Sequence, residues 1–411
     1  MKMMKNAIVA QSGGPTTAIN ASLAGVIKGC LESNEIDVLY GARNGVEGLM
    51  DERLVNLTEI FENNEENLKV LKGTPSMYLG SCRRKLKDIN RDSSEYDNIV
   101  EIFRKYNIRY FFYIGGNDSM DTVGKMSMYV KKHQMDVKVI GIPKTIDNDL
   151  VVTDHTPGFG SAARYVAASI LEMAHDTYID NTSSVLIAEI MGRDAGWLTA
   201  SSVLARNSYS QAPHLIYLPE HPFSKEQFIE DIREQFEKRE HIVIAVSEGL
   251  RDDKGQYISA ETSAVDAFGH ATLSGTGKCL ENLVAETFGC KVRSVEINVL
   301  QRCAAHMASA TDIEESWQVG LKGVSLALEG RSGEMSIVRR ISDEPYQVVY
   351  EGADVQQIAN AEKKIPAEWI NEAGNDVTEE MVRYLRPLIH GKVNVPEKDS
   401  MPYYLFLGEA L

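Results

Sequence analysis

One short segment, PKTIDND at residues 143–149, concentrates the residue types that transfer groups. It places Lys144 and two carboxylates, Asp147 and Asp149, around a polar amide directly after an apolar run. A carboxylate can accept the proton of an attacking hydroxyl, a second can hold metal-bound water, and a lysine can neutralise charge on a transferred group. The segment therefore indicates phosphoryl transfer, with a polar turn rich in Asp and Asn as the simpler alternative.

Two glycine-containing segments, SGG at 12–14 and GGNDS at 115–119, could bind the phosphates of such a reaction. Each follows an apolar run and precedes a helical pattern, so backbone N–H groups and the positive end of a helix would face an anion. Each also has a structural explanation, because a tight turn requires glycine for its backbone angles and Asp118 or Ser119 would cap the second helix. Neither segment alone decides between the two explanations.

Charged side chains at other predicted strand ends could hold a sugar phosphate. In MGR at 191–193 the glycine leaves room for a sugar and the arginine favours bidentate phosphate contact, although a lone arginine there is often a surface ion pair. SEG at 247–249 offers a carboxylate to sugar hydroxyls, or is a polar loop. The further candidate phosphate contacts are Arg83, Arg84, Lys85, Arg293 and Arg302.

Length and charge narrow the class of protein. The chain has 411 residues, is 43% hydrophobic and carries a formal net charge of -16. It can bury the cores of two or three globular units, and its acidity disfavours nucleic acid and anionic membranes as partners. Because no apolar run reaches about 18 residues and the start does not resemble a signal peptide, we expect a cytoplasmic enzyme. The five cysteines lack C-x-x-C spacing, which indicates neither a disulfide framework nor a zinc site.

The elements that must position these residues follow a repeated strand and helix pattern. Apolar runs predict buried parallel strands at 7–10, 110–114, 137–142, 184–190, 214–218 and 241–246, and helical patterns cover 17–31, a solvated stretch at 59–72, and 120–133. The alternation predicts an α/β fold with two Rossmann-like lobes of mainly parallel sheets and an active site in the cleft between them. We expect lobes at 1–158 and 159–300, with a segment at 301–411 that completes both. The absence of a G-x-G-x-x-G pattern disfavours a dinucleotide oxidoreductase.

Taken together and in order, SGGP, GGNDS, PKTIDND, MGR and SEG resemble the phosphofructokinase family from residue 1 to about residue 310. The segment DAFGHATLSG at 266–275 and the chain length resemble the branch of that family that uses pyrophosphate. The resemblance implies reversible phosphoryl transfer from inorganic pyrophosphate to the 1-hydroxyl of fructose 6-phosphate, giving fructose 1,6-bisphosphate in glycolysis. It also implies a Mg²⁺ cofactor and a homo-oligomer, either a dimer or a tetramer.

The same resemblance implies roles for individual residues. Asp147 resembles the general base, flanked by Thr145 at the transferring phosphate and Asp149 near magnesium, and Asn117 stands at a metal-contacting position. The residues that resemble the sugar-phosphate pocket are Ile146, Met191, Gly192, Arg193, Glu248, Arg302 and Arg293, the last reaching the pocket of a neighbouring subunit. Those that resemble the diphosphate site, and would form the donor side of the first lobe, are Gly13, Arg83, Gly115 and Gly116.

Two residues decide the predicted phosphoryl donor. ATP-dependent bacterial relatives usually carry glycine at the position of Asp118 and often at that of Lys144, whereas pyrophosphate-dependent relatives resemble this chain. A carboxylate at Asp118 would occupy and repel the site of a nucleotide α-phosphate, and Lys144 would supply charge to a donor that lacks a nucleoside. Both residues therefore join Asp147 as predicted catalytic residues.

Departures from the family pattern keep alternatives open. Asn117 stands where many relatives have an aspartate, and an amide oxygen is a weaker magnesium ligand than a carboxylate. Val299 and Ser184 replace residues that contact the sugar phosphate or cross the subunit interface in relatives, which leaves sedoheptulose 7-phosphate as another acceptor. An ATP-dependent phosphofructokinase and a non-catalytic sugar-phosphate or nucleotide sensor are the remaining alternatives.

Overall fold

The computed structural model describes residues 5–179, 181–259, 263–265, 271–272 and 275–408. Two sheets organise this part of the chain, one of seven strands and one of four, with helices packed against them. The predicted α/β class with mainly parallel sheets is confirmed. Within the described ranges, no helix is both long and apolar enough to cross a lipid bilayer.

Strands and helices alternate along most of the chain. The strands are β1 Asn6–Gln11, β2 Val38–Ala42, β3 Leu54–Asn56, β4 Ile108–Gly115, β5 Lys138–Pro143, β6 Ser184–Ile190, β7 Leu215–Tyr217, β8 His241–Ser247, β9 Ser263–Val265, β10 Ala271–Thr272, β11 Lys291–Glu296, β12 Glu334–Asp343, β13 Tyr346–Asp354, β14 Glu397–Lys398 and β15 Met401–Pro402. The α-helices are α1 Ile19–Glu32, α2 Gly45–Met50, α3 Leu57–Phe61, α4 Glu65–Gly73, α5 Ser94–Lys105, α6 Asn117–Lys132, α7 Phe159–Thr177, α8 Trp197–Ser201, α9 Lys225–Phe236, α10 Thr276–Phe288, α11 Ala310–Leu328 and α12 Glu379–Leu385. Short 3₁₀ turns span Ser202–Ala205, Asn298–Arg302, Ala305–Met307, Val355–Gln357, Ala367–Trp369 and Arg386–Ile389.

The seven-stranded sheet brings three of the predicted motifs to one edge. Its order is β13-β12-β5-β4-β1-β2-β3, parallel except for the antiparallel edge pairs β2 with β3 and β12 with β13. Every residue of β1 is buried, as expected for a strand covered on both faces. Gln11 pairs with Ile114, and Gly115 pairs with Pro143, so the loops after β1, β4 and β5 start side by side.

The four-stranded sheet aligns the remaining two motifs. Its order is β11-β6-β8-β7 and every pair is parallel. Ile190 pairs with Ser247 at the ends of β6 and β8, which places the loops with Arg193 and Glu248 next to one another. The polar loops of both sheets thus follow the carboxyl ends of parallel strands, where α/β proteins bind ligands.

Residues beyond 301 contribute to both cores. Strands β12 and β13 join the seven-stranded sheet, and α11 packs on α1 so closely that a β-carbon on Gly25 would lie 2.2 Å from the carbonyl oxygen of Trp317. Helix α12 supplies Met381 and Leu385 to the cluster around α7 and the four-stranded sheet. The boundaries at 158 and 300 stay predictions.

The predicted strands agree with the structure, whereas one predicted helix does not. Residues 59–72 form parts of two helices, α3 and α4, instead of one. The chain breaks at Asn63, which has a positive φ of 62°, and the side chain of Asn64 accepts a hydrogen bond from Asn67 N at the start of α4. The second helix also buries Leu68 and Leu71, so it is amphipathic and not fully solvated.

Candidate active site

The loops at the two sheets line a cleft of 570 Å³. The predicted site residues on its wall are Gly13, Arg83, Gly116, Asn117, Asp118, Lys144, Thr145, Ile146, Asp147, Asp149, Met191, Arg193, Glu248 and Arg302. Most of the predicted donor, base and sugar residues therefore meet in one place. Residues 266–270 and 273–274 of the DAFGHATLSG segment lie outside the described residues.

The loop after β5 presents Asp147 to the cleft. Lys144 N donates to the carbonyl of Gly115 at 3.0 Å, which ties the start of the loop to the end of β4. The hydroxyl of Thr145 donates to Asp147 Oδ2 at 3.2 Å and accepts from Asp147 N at 3.1 Å, so the carboxylate has a fixed orientation. Burial raises the pKa of Asp147, while Thr145, Lys144 and Arg193 oppose that rise.

Lys144 and the turn at Gly13 form one wall of the cleft. Lys144 is 3% exposed, and burial lowers its pKa to about 8 although Asp147 and Asp149 favour the charged form. A β-carbon on Gly13 would lie 3.1 Å from Lys144 Nζ. The N–H of Gly13 already donates to the carbonyl of Cys82 at 3.3 Å, so this glycine supplies space more than a hydrogen bond.

Gly115 has a packing function that its sequence motif does not indicate. It does not line the cleft, and a β-carbon there would lie 1.9 Å from Ser119 Oγ. The Ser119 hydroxyl in turn donates to Ser12 Oγ at 3.0 Å. Gly115 therefore lets the first turn of α6 approach the loop after β1, instead of facing a phosphate itself.

Two oxygen atoms in the cleft lack hydrogen-bond partners. Asn117 Nδ2 donates to Asp149 Oδ2 at 3.4 Å, while Asn117 Oδ1 and Asp149 Oδ1 are buried and unpaired within the part of the chain that the structure describes. Burial and the nearby Asp147 raise the pKa of Asp149 to about 7. An unpaired amide oxygen beside a carboxylate suits a hard cation such as Mg²⁺.

Asp118 forms an ion pair on the wall of the cleft. It lies in the first turn of α6, where the helix dipole favours a carboxylate. Lys85 Nζ lies 2.8 Å from Asp118 Oδ1. The side chain of Lys85 is 46% exposed and that of Asp118 is 31% exposed, so the pair lies nearer the solvent than the buried Lys144.

Arg193, Glu248 and Arg302 form the opposite side. Gly192 N donates to Glu248 Oε1 at 3.3 Å, and burial raises the pKa of Glu248 to about 7. Arg193 Nε is buried without a hydrogen-bond partner among the described residues, which leaves it available to a ligand. Arg302 Nη1 lies 3.5 Å from the position of a β-carbon on Gly14, so its guanidinium also reaches the loop after β1.

Arg293 lies away from this cleft, and Gly192, like Gly115, does not line it. Arg293 is on the edge strand β11, its guanidinium is 3.4 Å from Asp176, and it lines a separate cavity of 220 Å³. Within one chain it is therefore not part of the cleft. The family resemblance implies that Arg293 reaches the sugar-phosphate pocket of a neighbouring subunit. Its position away from the cleft of its own chain is compatible with that expectation, which stays a prediction.

Several lining residues were not found from the sequence. These are Thr16, Asp194, Ala195, Asn360, Ala361 and Glu362. Asp194 directly follows the MGR motif and could have been found by extending it. Asn360 to Glu362 come from the weakly patterned segment after 301, where no local sequence signal indicates a site. Burial and the nearby Asp194 raise the pKa of Glu362.

Comparisons with known proteins identify a family and several similar relatives. Residues 6–309 match a family model described as phosphofructokinase. Proteins named pyrophosphate–fructose 6-phosphate 1-phosphotransferase from Halomonas elongata and Methylococcus capsulatus are 40% and 39% identical, covering 97% and 98% of this chain and 94% and 96% of their own. The crystal structure of a pyrophosphate-dependent phosphofructokinase from Nitrosospira multiformis is 37% identical, with a TM-score of 0.88 and coverage of 98% of this chain and 96% of that one.

Proposed function

This chain belongs to the phosphofructokinase family, and we propose that it transfers a phosphoryl group reversibly from inorganic pyrophosphate to the 1-hydroxyl of fructose 6-phosphate. Relatives that match nearly its whole length carry the name of this activity. The observation that carries the proposal is the meeting of Lys144, Asp147 and Asp149 with Gly13 and Arg193 in one cleft. The products would be fructose 1,6-bisphosphate and phosphate.

Asp147 is the proposed general base. Burial raises its pKa, and a higher pKa makes a carboxylate a stronger proton acceptor for the sugar 1-hydroxyl. The two hydrogen bonds with Thr145 hold the carboxylate in one orientation. Since phosphoryl transfer depends mainly on positioning and charge, this fixed orientation is itself part of the catalysis.

Lys144 and Arg83 are the proposed sources of positive charge for the donor. Lys144 is enclosed beside Gly13, where the local dielectric is low and its charge acts strongly on a bound diphosphate. Arg83 lines the same cleft and offers a planar group for bidentate contact with phosphate oxygens. The space above Gly13 and Gly116 lets the diphosphate approach the backbone.

The residues that would hold Mg²⁺ are Asn117 and Asp149. Their unpaired oxygens provide the hard ligands that this ion prefers. When bound, the ion supplies positive charge to the oxygens of the diphosphate. Water and the diphosphate would complete the coordination, because Mg²⁺ commonly keeps several non-protein ligands.

The sugar phosphate would bind opposite the donor. Arg193 offers a buried guanidinium nitrogen that has no hydrogen-bond partner among the described residues, and Glu248 and Met191 line the same wall. Glu248 would accept hydrogen bonds from sugar hydroxyls, and Ile146 and Gly192 would shape the space around the ring. Arg302 would contact the sugar 6-phosphate, and its nearness to Gly14 also brings it within reach of the donor.

Asp118 supports pyrophosphate over ATP. The nucleoside monophosphate that ATP carries beyond its terminal diphosphate would have to pass the partly exposed Asp118–Lys85 pair. A carboxylate repels the phosphates of a nucleotide and fills space that glycine would leave open. Pyrophosphate ends before that point, so the pair does not exclude it.

We also propose a homo-oligomer in the cytoplasm, the compartment of glycolysis. Ile179 lines the same cavity as Arg293 and is 79% exposed, and Val299 and Leu300 are 48% and 55% exposed. Exposed apolar side chains next to an edge strand are typical of an interface. Sedimentation of the purified protein, with Leu300→Lys for comparison, tests this assembly.

The central experiment is an assay of the purified protein with fructose 6-phosphate, Mg²⁺ and either pyrophosphate or ATP. Formation of fructose 1,6-bisphosphate is measured for each donor, together with release of phosphate from pyrophosphate or of ADP from ATP. We expect faster turnover with pyrophosphate. Faster turnover with ATP would contradict the donor assignment, and no product with either donor would contradict the reaction.

A further inference from the structure

Asn148 stands between the two site carboxylates in an unfavourable backbone conformation. It is 0% exposed and has a positive φ of 55°, which residues other than glycine adopt only at a free-energy cost. Its side chain is held from two sides. Nδ2 donates to the hydroxyl of Tyr384 at 2.8 Å, and Oδ1 accepts from Lys363 Nζ at 3.3 Å. Both partners come from the segment after 301.

Lys363 makes further hydrogen bonds with the chain that follows the base loop. Its Nζ donates to the carbonyl of Asp154 at 2.6 Å and lies 3.4 Å from the carbonyl of Thr153. The hydroxyl of Tyr384 donates to the same Asp154 carbonyl at 2.7 Å. The ammonium group and the phenol therefore fix residues 148 to 154 as one unit.

The main chain of Lys363 connects this unit to the sugar side of the cleft. Its N–H donates to the carbonyl of Asp149 at 2.7 Å. Its carbonyl accepts from Trp197 Nε1 at 2.9 Å, and Nζ lies 5.1 Å from the centre of the Trp197 ring. Trp197 begins α8, just after the loop that carries Arg193. One residue thus joins the base loop to the element that positions the sugar pocket.

Stability alone gives a poor reason for a lysine at this position. The three hydrogen-bond acceptors of Nζ in the described part of the chain are neutral oxygens, so dipoles and not a direct ion pair hold the ammonium. A methionine has similar length and no charge to desolvate. The distinctive property of the ammonium is that it can bind three acceptors at once.

We propose that Lys363 is a positioning residue for phosphoryl transfer. Through its hydrogen bonds to Asn148 and Asp149, it holds the Asp147 loop in a fixed position relative to the sugar pocket. It does not contact the reacting atoms. The inference rests on the proposed function for its kinetic readout, because it concerns the placement of the proposed base. Lys363 lies in the part of the chain that sequence patterns predict only to complete both lobes.

The test compares Lys363→Met with Lys364→Met, a matched control because Lys364 is adjacent and exposed. We expect Lys363→Met to lower kcat about 10- to 100-fold, since small misplacements of a positioned group cost rates of that order. KM for both substrates should stay within about twofold, and the unfolding temperature should fall only slightly, because methionine removes a charge but also leaves Asn148 Oδ1 without this donor. Lys363→Arg, which restores a cation with several donors, should recover part of kcat.

Amide hydrogen exchange provides a readout that does not depend on activity. The amides of residues 147–149 should exchange faster in Lys363→Met than in Lys364→Met. If Lys363→Met does not fold, Tyr384→Phe takes its place; it removes only the hydroxyl and should give a small increase in exchange over the wild type. Unchanged kcat and unchanged exchange, or a loss confined to KM, would overturn the proposal. If the wild type does not use pyrophosphate, the proposed function is wrong, and the exchange comparison still decides whether Lys363 holds the loop.

Discussion

Lys144 Nζ lies 3.1 Å from the point where a β-carbon on Gly13 would stand. Gly13 also has a positive φ of 81°, so the turn requires glycine both for its backbone and for the space above it. The ammonium group of Lys144 and the turn after β1 therefore enclose a narrow volume that even one added methyl group would crowd.

Gly13→Ala should disturb that volume. The added methyl group would displace the Lys144 ammonium, and we expect kcat/KM for pyrophosphate to fall about tenfold or more, as when a charge-stabilising group is misplaced. The matched control is Gly255→Ala, because Gly255 has a similar φ of 77° and no heavy atom of the described residues within 4 Å of an added β-carbon. Equal losses in both variants would mean that backbone strain, and not Lys144, causes the effect.

Asp147→Asn tests the proton acceptor. The amide keeps the volume of the carboxylate but cannot accept the proton of the 1-hydroxyl, so kcat should fall by about 10² to 10⁴. The exposed Asp253→Asn serves as control for the same chemical change elsewhere. A near-wild-type rate in Asp147→Asn would show that another group accepts the proton.

The pH dependence of kcat/KM follows from two buried groups of opposite charge. Burial raises the pKa of Asp147, so activity should rise with pH through a range above the ordinary value for aspartate of about 3.9. Burial lowers the pKa of Lys144 to about 8, so activity should fall as that ammonium loses its proton. Lys144→Arg keeps the charge and should remove the alkaline decline, even if its maximum is lower. An unchanged decline would assign it to another group.

Asp118→Gly should move donor preference toward ATP. Glycine removes both the side-chain bulk and the carboxylate, so the ATP to pyrophosphate ratio of kcat/KM should rise about tenfold or more. Asp118→Asn separates the two causes because it keeps the bulk and removes the charge. Since Lys85 already neutralises part of that charge, we expect a smaller change in Asp118→Asn. No change in either variant would contradict the proposed role of Asp118.

The sequence predicted the parts of this site that lie in single segments. Lys144, Asp147 and Asp149 share one loop, and the strands before Gly13 and Gly115 have continuous apolar runs, so parallel pairing brings those loops together. The contribution of Lys363 and Tyr384 could not be predicted, because it depends on packing of residues far apart in the chain. The break at Asn63 was missed because charged residues on both sides fit a helix, and only the backbone at that asparagine shows the turn.

His155 predicts a pH dependence of stability that is separate from activity. Burial lowers its pKa, but Glu315 and Asp154 on its two ring nitrogens raise it more, to about 9, and Arg340 also binds Asp154. A raised pKa in the folded state means that this group stabilises the fold fully below its unfolded value of about 6.5. The stabilisation is then lost as pH rises from about 6.5 through about 9, by an amount on the order of 3 kcal/mol.

The variant His155→Gln tests whether the stabilisation by His155 decreases as pH rises. Lys144 and Lys363 have lowered pKa values of about 8 and act in the opposite direction at higher pH, so the variant must be compared with the wild type at each pH. We expect the difference in urea midpoint to be largest near pH 6 and to shrink toward pH 9.5. His390→Gln, at an exposed histidine, serves as the control for the same substitution elsewhere. A difference that is constant with pH would mean that His155 stabilises the fold in its neutral form, by packing and neutral hydrogen bonds alone.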